Sequence, residues 1–132
     1  MVDYVVHFEI PANNTTRAKR FYEKMFGWNI SFMKGFDYFS IKAKGEYQGK
    51  PAGIDGGMMK RTAKGQPLTF YVMVGSVDAA LKKAVANGGK VCMPKTSIGD
   101  MGFIGAFSDP EGNLVGLTEM SAKMKKPVKK KR

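Results

Sequence analysis

The chain opens on Tyr4-Val5-Val6-His7-Phe8-Glu9-Ile10, a run of β-branched and aromatic residues that stops at Pro11 and predicts a strand. Asn13-Asn14-Thr15-Thr16 then supplies several helix N-cap candidates. Beyond them Ala18, Phe21, Tyr22, Met25 and Phe26 recur at helical spacing and line one face with apolar groups. Gly27 follows where a left-handed C-cap needs a glycine. This predicts an amphipathic helix. Trp28–Phe32 and Tyr38–Ala43 read as two more strands. Gly45–Gly57, with its glycines and Pro51, reads as turns, with a short strand near Gly56–Met59.

After a polar linker over Lys60–Pro67 the same order returns. Leu68–Val74 reads as a strand, and Ser76 as an N-cap with Asp78 in the first helical turn. Ala80, Leu81, Ala84 and Val85 give the second helix its apolar face, and Asn87-Gly88-Gly89 ends it. Lys90–Met93 is expected as a strand, Pro94–Gly99 as a loop, and Met101–Phe107 as a strand. Asp109–Asn113 is dense in turn formers, and Leu114–Glu119 reads as the last strand. Strand, helix and several strands thus occur twice. The helix-ending glycines Gly27 and Gly88 lie 61 positions apart. The expectation is an α+β protein of two similar βαβββ modules, about 1–60 and 66–120.

Composition adds limits. A length of 132 residues suits one domain, or two small halves sharing a core. No apolar run is long enough to cross a bilayer, and Met1–Ile10 lacks the basic and apolar regions of a secretory signal. Cys92 is the one cysteine, which excludes an intrachain disulfide and fits a reducing cytoplasm. In its apolar strand it reads as an inert thiol. His7 is the one histidine, which excludes a His-rich metal centre within one chain. The net charge of +11 suggests a nucleic-acid binder until the charges are placed. Seven of the 22 basic residues lie in the last ten positions. Without them 15 basic residues face 11 acidic ones. Residues 121–132 therefore read as a disordered basic tail, capable of salt-sensitive, non-specific contact with nucleic acid.

Three stretches carry a resemblance. VVHFEIPANNTTRAKRFYEKMFGW (Val5–Trp28), FYVMVGSVDAALKKAVANGGKV (Phe70–Val91) and AFSDPEGNLVGLTEM (Ala106–Met120) resemble the vicinal oxygen chelate superfamily. That group includes glyoxalase I, bleomycin-resistance proteins and extradiol dioxygenases. The resemblance implies paired βαβββ modules whose mixed sheets form a cup around a small ligand, with helices outside. Metal-dependent members hold a divalent ion with four His or Glu ligands. Carried onto this chain, the first-strand position falls on His7 and the last-strand position on Glu119. The second-module position falls at about Thr69, or at Leu68 under a one-residue shift, and the end-of-module position near Gly57. Neither of those two can supply the expected histidine or glutamate. Asp55 and Glu46 could substitute only by bending inward. The implied metal site is incomplete, so any divalent ion would be weakly held and the more natural expectation is none.

His7 alternates with Val6 and Phe8 and shares a strand face with Glu9. It stands either in the cup, as metal ligand or general base, or as an ordinary hydrogen-bonded strand histidine. His7 and Glu119 are the candidate catalytic pair, with the same two as candidate metal ligands. Glu9, Thr69, Tyr71, Gly57 and Phe103 are candidate ligand-binding positions. Trp28, Phe32, Phe36, Tyr38, Phe39, Phe103 and Phe107 supply aromatics for the core or for stacking on a planar ligand. Three readings follow. The first is a cytoplasmic, homodimeric glyoxalase-like protein performing a lyase- or isomerase-type step on an oxygen-rich small molecule. The second is a non-catalytic protein that binds or sequesters a small molecule. The third is a nucleic-acid-associated protein acting through the lysine tail.

Overall fold

Local capping sets the two helices. Asn14 adopts an extended backbone (φ −129°) and its side chain accepts a hydrogen bond from the Arg17 N–H at 2.9 Å, which starts α1 (Thr15–Phe26). Gly27 ends it in the left-handed region (φ +72°), its N–H donating to the Glu23 carbonyl. Ser76 starts α2 (Val77–Ala86) in the same way, accepting from the Ala79 N–H at 3.1 Å. The computed structural model describes residues 2–123. Val6–Phe70 pack as one unit, and the described residues on either side of that span as another.

In the first unit α1 is preceded by β1 (Tyr4–Ala12) and followed by β2 (Asn29–Met33), β3 (Tyr38–Lys42), β4 (Gly45–Tyr47), β5 (Lys50–Ala52) and β6 (Gly56–Lys60). Its sheet runs β2-β3-β6-β1, with β1 and β6 parallel and the other neighbours antiparallel. Ile10, Ala12, Ile30, Ile41 and Met58 form the core, against which Phe8, Ala18, Tyr22, Trp28 and Phe39 pack. The segment expected to be mostly turns contains the β4–β5 hairpin. Gln48 (φ +52°) and Gly49 (φ +77°) both take the left-handed backbone that a two-residue hairpin turn requires.

The second unit carries β7 (Thr69–Met73), α2, β8 (Lys90–Ser97), a 3₁₀ turn at Gly99–Met101, β9 (Phe103–Ser108) and β10 (Leu114–Glu119). The division between the units falls inside β1 and β7. The sheet order is β8-β9-β10-β7, with β7 and β10 parallel. This is the order of the first unit repeated. Val74, Val77, Leu81 and Leu117 form its core, with Val72, Ala80, Phe103 and Phe107 packed against it.

Two expectations shift here. β8 continues through Pro94 to Ser97 instead of giving way to a loop. It is an edge strand with register shifts between Val91 and Thr96, a setting that tolerates a proline without a ladder N–H. Met101 belongs to the 3₁₀ turn, so β9 starts at Phe103. Of the basic tail, residues 121–123 are described. The Ser121 hydroxyl donates to the Asp100 carbonyl at 2.7 Å, and Lys123 Nζ lies 3.5 Å from the Asp100 carboxylate. The rest of the tail lies outside the described residues.

Candidate functional site

Strand parity decides which side chains can meet. Along β1, Phe8, Ile10 and Ala12 face α1, so His7 and Glu9 point to the other side of the sheet. Along β3, Phe39 and Ile41 face α1, which leaves Tyr38 and Ser40 on the side of His7. The two sets converge. His7 Nε2 lies 2.8 Å from the Tyr38 hydroxyl oxygen, and that hydroxyl donates to Glu9 Oε2 at 3.0 Å. With the hydroxyl given to Glu9, the Nε2–H tautomer of His7 donates to the phenol oxygen. Imidazole, phenol and carboxylate form one hydrogen-bonded line.

Gly57 makes room for it. β6 pairs Gly57 with Glu9 on one side and with Ser40 on the other. A Cβ added at Gly57 would run into the Tyr38 hydroxyl and ring carbons. The position at which the resemblance calls for a glutamate is therefore occupied by a tyrosine reaching in from a neighbouring strand. Tyr38 entered the sequence reading only as one of several aromatics. The signal that could have found it is the pairing of a tyrosine on one strand with a side-chain-free position on the next.

The electrostatics favour a neutral imidazole. Burial lowers the His7 pKa, and the nearby carboxylates of Glu9 and Asp55 only partly oppose it, so the net shift is downward. Asp55 is committed elsewhere: its Oδ1 accepts from the Ala43 and Lys44 N–H groups at 2.9 and 3.1 Å. Burial pushes its pKa up, but those two hydrogen bonds, with Lys44 and Lys42, hold it below the ordinary carboxylate value. Glu46 is exposed in β4, opposite Pro51.

The second unit holds the other candidates. Glu119 follows Leu117 in parity on β10 and so faces α2. It is 7% exposed, and its Oε1 accepts from the Val77 N–H at 2.9 Å with Lys95 Nζ at 3.6 Å. A carboxylate at the first residue of a helix meets unpaired N–H groups and the positive end of the helix dipole, which accounts for its burial. The structure thus corrects the placing of Glu119 in the cup. Phe103 is corrected in the same sense: it packs on the α2 side, with Lys95 Nζ 4.2 Å above its ring. Lys95 went unnoticed because its segment reads as a loop. Tyr71 lies on the sheet side away from α2 and packs over Gly116, another place where a Cβ would collide with a tyrosine ring. Thr69 is buried, its hydroxyl donating to the Phe70 carbonyl at 3.5 Å. Cys92 is exposed.

A divalent metal fits this donor set poorly. Tyr38 fills the space over Gly57, Glu119 is held at the start of α2, and Asp55 is held by two backbone N–H groups. Among the described residues no group of three or more His, Cys, Asp or Glu side chains is placed to hold a metal ion.

Comparison with known proteins gives this fold a family context. The family model described as "Glyoxalase/Bleomycin resistance protein/Dioxygenase superfamily" matches residues 4–117. The chain is 31% identical over 111 residues to "Putative glyoxylase CFP32" of Mycobacterium bovis, a match covering 83% of this chain and 42% of that protein. A Mycobacterium tuberculosis protein of the same name matches equally. The chain therefore spans about two fifths of the length of these curated relatives. Among solved structures, a variant of Streptomyces coelicolor methylmalonyl-CoA epimerase in complex with 2-nitronate-propionyl-CoA aligns with a TM-score of 0.63 at 16% identity, covering 96% of this chain and 100% of that one. A glyoxalase/bleomycin resistance protein/dioxygenase superfamily member from Vibrio splendidus aligns with a TM-score of 0.59 at 13% identity, covering 89% and 99%. At such identities the solved structures show a shared fold.

Proposed function

The chain belongs to the glyoxalase/bleomycin resistance protein/dioxygenase superfamily, and from that premise we propose that it binds a small carbonyl compound on the face carrying His7, Glu9 and Tyr38 and moves a proton on it. The reaction class is an isomerase- or lyase-type step that needs no metal from this donor set. One observation carries the reading: a phenol hydroxyl is hydrogen-bonded to both an imidazole and a carboxylate, over a glycine that leaves it room.

Glu9 is the base in this reading, since an ionised carboxylate can take a proton from carbon next to a carbonyl. The abstracted proton stays on Glu9, which then donates to the phenol oxygen, and it returns from Glu9 to the substrate carbon to complete the step. Tyr38 positions Glu9, and the Nε2–H of His7 in turn holds Tyr38. Methylmalonyl-CoA epimerase among the structural neighbours supports a substrate with an acidic proton beside a carbonyl. We place the protein as a cytoplasmic homodimer, as the sequence suggests.

The test is solvent-deuterium wash-in followed by NMR, with methylmalonyl-CoA and the hemithioacetal of methylglyoxal and glutathione as probes. Deuterium should enter the carbon next to the carbonyl of at least one probe. Glu9→Gln should lower the rate by at least 100-fold and Tyr38→Phe by 10-fold or more. Glu119→Gln should leave it unchanged. Saturable binding without wash-in would instead support the non-catalytic binding protein, a reading favoured by the missing ligand side chains at Gly57 and Thr69.

A further inference from the structure

The apolar face of α1 is broader than its sheet can cover. Ala18 and Tyr22 pack on the core, and Phe26 packs on the Trp28 indole at 5.0 Å. Phe21 and Met25, one helical turn apart, stay 55% and 56% exposed. No residue of α1 is buried. In contrast, α2 buries Val77 and Leu81 and keeps Val85 as its one large exposed apolar side chain.

Cations stand beside that pair. Arg17, Arg20 and Lys24 are exposed and share one outer stripe with Phe21 and Met25, at i, i+3, i+4, i+7 and i+8. Among the described residues none of the three forms an ion pair. The one acidic side chain of the helix, Glu23, lies on another flank, with Lys19 Nζ at 3.4 Å and the Ile30 N–H at 3.3 Å.

An apolar pair set among unpaired cations selects its partner by chemistry. A second copy docked face to face would set Arg17, Arg20 and Lys24 against their own like. Duplex nucleic acid would meet the cations with phosphates but offer Phe21 and Met25 no apolar surface. The boundary of an anionic bilayer supplies both: charged headgroups for the long basic side chains and acyl chains for the apolar tips. The lysines that crowd the last ten positions of the sequence add attraction to the same surface. The contact is peripheral, since the 12 residues of α1 span about 18 Å and cannot cross a bilayer core.

We propose that the outer face of α1 docks on an anionic membrane surface. Phe21 and Met25 enter beneath the headgroups, and Arg17, Arg20 and Lys24 pair with them.

The experiment floats the full chain with vesicles of phosphatidylcholine alone, and of phosphatidylcholine with about 30% phosphatidylserine, across a salt series. Binding is expected to the phosphatidylserine vesicles, weakening as salt rises, and not to phosphatidylcholine alone. Phe21→Ala with Met25→Ala should weaken it at least about fivefold. Arg20→Glu with Lys24→Glu should weaken it at least about tenfold. Circular dichroism checks that each variant is folded, and either pair serves should the other not fold. No phosphatidylserine-dependent binding would overturn the proposal. So would unchanged binding in a folded variant, which would leave the lysine tail as the contact. Tighter binding to duplex DNA than to vesicles, weakened by the same substitutions, would overturn it in favour of nucleic acid. Self-association without vesicles that Phe21→Ala with Met25→Ala abolishes would overturn it in favour of a second copy. Since α1 covers the opposite side of the sheet from His7, Glu9 and Tyr38, this face and the wash-in reading stand or fall separately.

Discussion

The two units share a strand order and a capping scheme but use their faces differently. In the first, aromatics fill the helix side, and the far side carries a line of polar groups. In the second, small residues leave the helix side hollow, and the charged group buried there, Glu119, serves the helix itself. The difference teaches that topology sets where a side chain can reach, while residue size sets whether a face is core or cavity. A glycine admits a neighbour in both. Gly57 makes room for a tyrosine side chain from a neighbouring strand, and Gly89 for the carbonyl oxygens of Ser108 and Ala84.

Substitutions that exchange these properties test the comparison. The largest effect is expected from Trp28→Ala, which makes the first unit as hollow as the second. It should cost about 2–3 kcal/mol in urea unfolding, less than the loss of a fully buried aromatic because Trp28 is partly buried. A loss below about 1 kcal/mol would mean that the indole is not structural. Glu119→Ala should cost about 1–3 kcal/mol, because it strips the Val77 N–H of its acceptor and leaves Lys95 without this carboxylate. Glu119→Gln should recover much of that. Neither loss should change with added Ni²⁺ or Zn²⁺, and a metal-dependent loss would return Glu119 to a metal site. Asn14→Ala and Ser76→Ala should each cost about 1 kcal/mol, since the caps are the feature the units share. Unequal losses would break the equivalence of the two helix starts.

The finest probe is pH. The folded state holds the His7 pKa below its unfolded value of about 6.5, so the unfolded chain binds the proton first as pH falls. The stability from a neutral His7 is complete above about pH 6.5 and is lost as pH falls toward the folded pKa. Urea unfolding in steps from pH 7.5 to 5 should show that slope in the wild type and a flatter one in His7→Gln.

Much of the architecture was legible because it is encoded locally. Asn14, Gly27 and Ser76 announce their helices within a few residues, and the repeat of elements was visible without any contact being known. The site was half legible. Alternation along β1 put His7 and Glu9 on one face, but Tyr38 joins them through the β3–β6–β1 pairing, which sequence does not reveal. Glu119 was misplaced because its family position was matched without counting parity from Leu117, which faces α2. The groove on the helix side of the second unit was hidden for a related reason. Ala80 and Ala84 read correctly as an apolar helix face, but nothing local says that with Val72, Val74 and Leu117 they line a groove of about 530 Å³.

The single histidine makes the central claim directly measurable. Long-range ¹H–¹⁵N spectra of ¹⁵N-histidine-labelled protein report the one imidazole, His7, without assignment. At pH 7 the ring should be neutral, and Tyr38→Phe should shift its Nε2 resonance while leaving the fold intact. A charged imidazolium at pH 7, or an Nε2 resonance unmoved in folded Tyr38→Phe, would contradict a His7–Tyr38–Glu9 line.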